Sequence, residues 1–258
     1  MSHTRTVVLV LVGFFVFWEV AVWATSAPSF ILPAPSAVAL EIASDPVWYA
    51  RHAAYTVGAC LLGFFFALVL GVLAAIGIVY SRVLESTLYT LLVSLNSIPK
   101  IALAPLFIIW MGTNLSSKVA ISMLIALFSI VIDTVLGLRS VDPDVLDMTK
   151  SMRARPLQVL WKIRFPSALP AMFAGMKVAI SLALVGAIAG EFVASQVGLG
   201  YVILTAQGMF QIPRVFAAIV LLGILGTILF YLVGIAERIL VPWHVSQRGG
   251  NVGAVHGA

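Results

Sequence analysis

The residues of this chain that could do chemistry are few, and their spacing does not suit catalysis. His3, His52, His244 and His256 are scattered through termini and loops, and Cys60 is the only cysteine. No apolar stretch carries the His, Asp or Cys constellation that metal or nucleophilic chemistry requires. A lone cysteine rules out an internal disulfide and a cysteine cluster for zinc or iron–sulfur, and reads as a small packing residue. What remains is a set of isolated charges in apolar surroundings: Glu19, Lys100, Asp133, Lys177 and Glu191. An ionised side chain at the centre of hydrocarbon costs at least about 2.5 kcal/mol, so each needs water or a partner. Lys100 supports two readings. It attracts an anionic solute in a pathway, helped by Ser94, Asn96 and Ser97, or it forms an ion pair with Asp133 or Glu191. Asp133 is expected to reach headgroup water, and Glu19 to be capped or paired at a helix interface. Glu191 is expected at the outer surface, as an exposed acid or a gate, just before the Gly198-Leu-Gly200 stretch that could bend the chain.

The elements that position these residues are membrane helices. The sequence is 62% hydrophobic and 10% charged, whereas a soluble domain is about half apolar and roughly a quarter charged. Spanning a hydrocarbon core takes about 20 apolar residues per helix, so 258 residues supply about six spans with short loops. Five apolar runs stand out: Val7 to Ala24, Ala53 to Tyr80, Val119 to Leu138, Ala168 to Gly190 and Val215 to Ala236. The first reads as a retained span rather than a signal, because it is long, carries Glu19 and lacks a small-residue cleavage site. A further run, Leu84 to Met111, is interrupted by Asn96, Ser97, Pro99 and Lys100, which predicts a kinked or broken helix. Ala27 to Arg51 is rich in proline and predicts an ordered loop with a short surface helix. The expectation is therefore an all-α, polytopic helix bundle forming one domain over 1–248, with a disordered tail over 249–258. The glycines of the second span (Gly58, Gly63, Gly71, Gly77) and of the fifth (Gly175, Gly186, Gly190) are expected on faces inside the bundle. Met123, Met172 and Met176 read as packing residues.

Lys and Arg in short loops stay on the cytoplasmic side. With the N-terminus inside, the inner segments hold Arg5, Arg82, Arg139, Lys150, Arg153, Arg155, Lys162, Arg164, Arg238 and Arg248, against Arg51, Lys118 and Arg214 outside. An even number of spans then places both termini in the cytoplasm. The net charge of +5 thus speaks to topology, and no nucleic-acid partner is expected.

The longest connection, over 140–165, is also the most charged. Asp142-Pro143-Asp144 combines a capping side chain, a proline at the first helical position and an acid at the positive dipole end, predicting a helix to about Met152. Pro156 opens a second short helix with Leu157, Leu160 and Trp161 on one face and Gln158, Lys162 and Arg164 on another. Pro166 and Pro170 bracket entry to the next span. Two short amphipathic helices joined through Arg153, Ala154 and Arg155 make a knob that a soluble partner can grip.

This loop resembles the signature of the inner-membrane permease subunits of bacterial ATP-binding-cassette (ABC) importers. That signature runs Glu-Ala-Ala, three residues, Gly, nine residues, Ile-x-Leu-Pro. Asp147, Met148 and Thr149 stand at its first triplet, Arg153 at its glycine, and Ile163, Arg164, Phe165 and Pro166 at its close. Glycine at that position would allow a positive φ without steric cost, so Arg153 is the main departure. The segment from Ser97 to Gly112 (SIPKIALAPLFIIWMG) and that from Gly190 to Tyr201 (GEFVASQVGLGY) are similar to segments of the nitrate, sulfonate and taurine branch. The resemblance implies a type I importer permease in the inner membrane, working as a dimer, with two cytoplasmic ATPase subunits and a periplasmic binding protein. It implies no cofactor on this chain, with ATP and Mg on the ATPase. Asp147, Met148, Thr149, Lys150, Ser151, Met152, Arg153, Ala154 and Arg155 would then insert into a groove of the ATPase. The solute implied is small and anionic, of nitrate, sulfonate, taurine or aromatic-acid type, or alternatively a thiamine-precursor pyrimidine or riboflavin. An ion-coupled secondary transporter is the competing class; it would call for acids or broken helices in related halves, and the acids here are sparse. A channel or scaffold would leave the structured basic loop unexplained.

Overall fold

A computed structural model describes residues 3–26, 28–89, 91, 94 and 98–243. The predicted tail over 249–258 lies outside the described residues, as do Asn96 and Ser97. Every regular element described is helical: α1 (His3–Thr25), α2 (Pro35–Ser44), α3 (Pro46–Tyr80), α4 (Arg82–Leu84), α5 (Ala104–Met111), α6 (Leu115–Arg139), α7 (Pro143–Ser151), α8 (Pro156–Val159), α9 (Phe165–Val193), α10 (Leu199–Gly208) and α11 (Ile212–Leu240).

Four helical stretches among the described residues are long and apolar enough to cross a membrane: Pro46–Tyr80, Leu115–Arg139, Pro156–Val193 and Ile212–Leu240. They correspond to the second, fourth, fifth and sixth predicted spans. The apolar stretches of the other two, Val12–Thr25 and Lys100–Met111, are shorter. The third predicted span is irregular, as its proline and polar residues required: a π turn at Glu85–Tyr89 lies at its start and a 3-10 turn at Lys100–Leu103 leads into α5. Large apolar side chains such as Phe65, Leu73, Ile109 and Ile239 are exposed on these helices. Lipid rather than water is the solvent that makes such faces stable.

The boundaries of the second span differ from the sequence reading. Pro46 does not belong to the preceding loop but opens α3, whose 35 residues extend about 52 Å, well beyond the ~30 Å of hydrocarbon. Proline at the first helical position loses no hydrogen bond, so it starts a helix as readily as it ends one. The short helix predicted between the first two spans is α2. Its N-terminus receives a cap from α1: Glu19 Oε2 accepts the Ser36 N–H at 3.0 Å and Oε1 accepts its hydroxyl at 2.7 Å. The predicted partner of Glu19 is therefore a helix end.

The chain forms two compact units, Met1–Gly58 with Glu191–Leu225, and Ala59–Gly190 with Gly226–Ala258. In the second unit α6 is the buried helix. Ser122 of α6 donates to the Ala183 carbonyl of α9 at 2.8 Å. A Cβ on Gly186 would stand 2.6 Å from the Ser122 Cα, and one on Gly63 of α3 would overlap the Ser122 side chain. Gly71 meets Ile130 and Gly175 meets Asp133 in the same manner. Small residues thus let α3 and α9 approach α6 to backbone contact. Gly58 is an exception among the predicted close-packed glycines, because a Cβ there would meet open space. Farther along, Ala75, Ile78, Val131, Val135, Leu138, Leu160, Ala168 and Met172 close the core, so Met172 packs as predicted.

The contact at Ser122 predicts a graded response. Gly186→Leu should destabilise the chain by about 1–3 kcal/mol, since the neighbour it strikes is backbone. Gly58→Ala should leave stability unchanged or slightly raised. Thermal unfolding midpoints in detergent distinguish the two.

Candidate functional site

The loop between the fourth and fifth predicted spans is built as its capping signals required. Asp142 Oδ1 accepts the Asp144 N–H at 2.9 Å, Pro143 takes the first helical position, and Lys150 lies in the last turn of α7. The helix then ends in a Schellman motif. The Ala154 N–H bonds the Thr149 carbonyl at 3.0 Å and the Arg153 N–H bonds the Lys150 carbonyl at 2.9 Å. Arg153 has φ +55°. It therefore adopts the left-handed conformation that a glycine would take at this position, and the departure from the family residue changes the side chain without changing the turn. The cost for a non-glycine residue is roughly 1–2 kcal/mol.

The second half differs from the sequence reading. α8 begins at Pro156, with the Arg155 N–H donating to Gln158 Oε1 at 2.9 Å. It does not end as a separate helix, because a π turn at Leu160–Arg164 carries it into α9. Pro166 and Pro170, expected to bracket entry to the span, lie within this continuous run. Leu160 separates from its predicted face: it is 4% exposed and belongs to the core, while Leu157 and Trp161 are exposed. The wider π turn is what reorients successive side chains here. Leu160, the Arg164 guanidinium on the Leu138 carbonyl (2.8 Å) and the Tyr80 hydroxyl on the Pro156 carbonyl (3.3 Å) fasten the knob to the bundle.

Eight of the nine predicted coupling residues fall on α7 and its closing turn, and Arg155 caps α8. Thr149 is buried and Ala154 half-buried; the others are exposed. Asp147 and Lys150 pair at 2.7 Å on the open surface, an interaction worth little. More informative is the apolar stripe. Val145, Met148 and Met152 recur at i, i+3 and i+7, with Met148 57% and Met152 72% exposed, and Leu157 and Trp161 extend the patch. Helix residues at that spacing share one face.

Of the predicted pathway residues, Ser94 is exposed at a helical position. Lys100 opens the 3-10 turn of the second unit, its ammonium 4.4 Å from the centroid of the Phe128 ring. Glu191 belongs to the first unit and is not the exposed surface acid expected; it is 1% exposed. Its carboxylate caps α10, a helix the sequence reading did not find. Three consecutive backbone N–H groups at the start of α10 each have a side-chain acceptor: Gly198 on His52 Nδ1 (3.0 Å), Leu199 on Thr56 Oγ1 (2.9 Å) and Gly200 on Glu191 Oε2 (2.7 Å). Gly198 has φ +118°, and a Cβ there would overlap the Glu191 carboxylate. The Gly198 bend is thus real, and glycine is needed for both reasons. His52, expected in a loop, is buried on α3 between Trp48 and Tyr201. The i, i+4 spacing of His52 and Thr56 was the signal available for this corner.

Two further charges were misplaced or unpaired in the sequence reading. Lys118 is not in an outer loop; it lies in the first turn of α6, fully buried, donating to the Thr113 carbonyl. Lys177 of α9 pairs with Glu237 of α11 at 2.5 Å. Asp133 is half-buried and within 3.3 Å of the Ser129 hydroxyl. No group of three His, Cys, Asp or Glu side chains that could hold a metal ion occurs among the described residues.

Comparison with known proteins agrees with this architecture. The family described as binding-protein-dependent transport system inner membrane component matches residues 67–242. The riboflavin transport system permease protein of Chloroflexus aurantiacus is 37% identical over 235 residues, covering 90% of this chain and 87% of that one. The putative aliphatic sulfonates transport permease protein of Bacillus subtilis is 29% identical over 236 residues, covering 90% and 85%. A chain of the inward-facing MetNI methionine ABC transporter superposes with a TM-score of 0.66 over 75% of this chain and 96% of its own, at 19% identity, and so shares the fold. The chain therefore belongs to the binding-protein-dependent transport system inner membrane components, and is a multi-pass inner-membrane permease of an ABC importer.

Proposed function

We propose that two copies of this chain form the passage through which a periplasmic binding protein delivers a small solute to the cytoplasm. ATP hydrolysis takes place on two separate cytoplasmic ATPase subunits, which carry the ATP and Mg. The observation that carries this reading is the fastened knob: its second half is held to the bundle through Leu160, Arg164 and the Tyr80 bond to the Pro156 carbonyl, while the knob presents Met148, Met152, Leu157 and Trp161 outward. A partner that binds this apolar stripe and moves will move α9 with it, because the π turn makes the second half of the knob, from Pro156, and the span one continuous helix. Arg153, Arg155, Asp147 and Lys150 form the polar rim of that contact. In this reading the knob and both termini lie in the cytoplasm, in accord with the distribution of Lys and Arg.

For the solute, two chemical classes stand among the relatives. The 37% identity to a riboflavin permease against 29% to a sulfonate permease favours a flat heteroaromatic solute as the second reading beside a small anion. Lys100, with Ser94, Asn96 and Ser97, is the candidate pathway group for the anion, and Glu191 acts there only by holding the start of α10. Mass spectrometry of the ligand retained by the copurified binding protein decides between the classes.

Three outcomes follow for variants. Met148→Asp with Met152→Asp should abolish copurification of the ATPase while leaving the permease in the membrane; retained association overturns the coupling role. Arg153→Gly should keep uptake and change stability by no more than about 1 kcal/mol, because relief of the left-handed strain is offset by unfolded-state entropy. Arg153→Val should be less stable than either, as a β-branched residue at positive φ. Lys100→Met should lower uptake of an anionic solute on the order of tenfold, equivalent to about 1.4 kcal/mol, and unchanged uptake removes Lys100 from the pathway.

A further inference from the structure

One face of α11, with Lys177 of α9, forms an open groove of about 550 Å³. Its lining residues Phe230, Tyr231, Gly234, Ile235 and Arg238 recur at helical spacing, so they share that face. Gly234 leaves the floor clear: the Lys177 Cε lies 3.7 Å from where a Cβ would stand, and the lysine stem crosses there to reach Glu237 Oε2. The pair is only partly open, with side-chain exposures of 27% for Lys177 and 12% for Glu237. Arg238 is exposed and makes no ion pair with a carboxylate among the described residues. Two cations against one anion leave the groove with a charge of +1.

The chemistry of the groove changes along the helix. At one end Phe230, Tyr231 and Ile235 are exposed and chiefly apolar. At the other, about 12 Å further at 1.5 Å per residue, Arg238 stands two residues before α11 ends at Leu240, with exposed Trp243 beyond it. An apolar wall that ends in cations and an interfacial aromatic is complementary to one class of molecule, a lipid with an anionic headgroup. A second copy of this chain with the groove on its two-fold axis would instead bring the same positive charge against itself.

We infer that this groove is a binding site for one anionic phospholipid. Its phosphodiester lies against the Arg238 guanidinium and the Lys177 ammonium, and its acyl chains lie along Phe230, Tyr231 and Ile235. Guanidinium groups suit this role because their forked donors match phosphate oxygens. The Lys177–Glu237 pair keeps the floor of the site neutral, so that Arg238 supplies the net attraction.

The test uses the full chain, purified in detergent, stripped of lipid and examined by native mass spectrometry. Phosphatidylglycerol and phosphatidylcholine of identical acyl composition serve as probes. The wild-type chain should retain one phosphatidylglycerol with a preference of roughly tenfold over phosphatidylcholine. Arg238→Gln should bring the two within about twofold, and Gly234→Leu, which fills the floor, should weaken retention of both. Equal retention of the two lipids by the wild-type chain, or an unchanged preference in Arg238→Gln, overturns the proposal. So does displacement of the lipid by millimolar inorganic phosphate, which would mark a site for a free anion. Ile235→Cys tests the remaining occupant against a clean background, since Cys60 is buried. Efficient oxidative cross-linking of two Ile235→Cys chains in native membranes would assign the groove to a second copy and overturn the lipid site.

Discussion

The contact of Ser122 with Gly63 and Gly186 is the constraint on which the second unit depends. In lipid, apolar side chains gain little by leaving the lipid for one another, so helices are held by close packing and by hydrogen bonds between them. At Ser122 both act at one point: two glycines allow two helices to reach α6, and the serine hydroxyl bonds the Ala183 carbonyl. Gly71 with Ile130 and Gly175 with Asp133 continue the same seam toward the Leu138 and Leu160 end of the core.

The knob illustrates how a rigid contact can be made from unfavourable local conformations. Arg153 holds a left-handed backbone, and the π turn at Leu160–Arg164 departs from regular helix. Each costs free energy locally, and each is over-determined by its surroundings: two Schellman hydrogen bonds fix Arg153, while burial of Leu160 and the Arg164 to Leu138 bond fix the π turn. Irregular backbone held in this way concentrates at parts that bind or move. For the proposed coupling such stiffness has a use, because a compliant loop would absorb a displacement instead of passing it to α9.

Four of the charges within the apolar helices have structural partners. Glu19 caps α2, Glu191 caps α10, Lys118 bonds the Thr113 carbonyl and Lys177 pairs with Glu237. Two of these acids satisfy helix N-termini, where unpaired N–H groups and the positive end of the dipole coincide. Such groups are poor markers of a solute pathway, since their positions answer to the needs of the backbone.

The sequence by itself determined the solvent, the class and the position of the knob. Its hydropathy can be satisfied only by membrane helices, and Asp142-Pro143-Asp144 at the start of α7 and the interruption near Pro99 act through local rules of capping and φ restriction. The resemblance set Arg153 at a glycine position, but only the folded backbone decided that the arginine keeps the left-handed turn. Tertiary structure decided what depends on residues far apart in the chain. The burial of Glu191, His52 and Thr56 around Gly198 requires segments some 140 residues apart to meet, and no local pattern encodes that meeting. The same holds for Lys177 and Glu237, and for Leu160, whose hydrophobicity was evident but whose direction was set by a π turn that only packing against Ala75, Ile78 and Leu138 selects. Helix formation is local chemistry; which face of a helix is buried, and against what, is settled by the neighbours it meets.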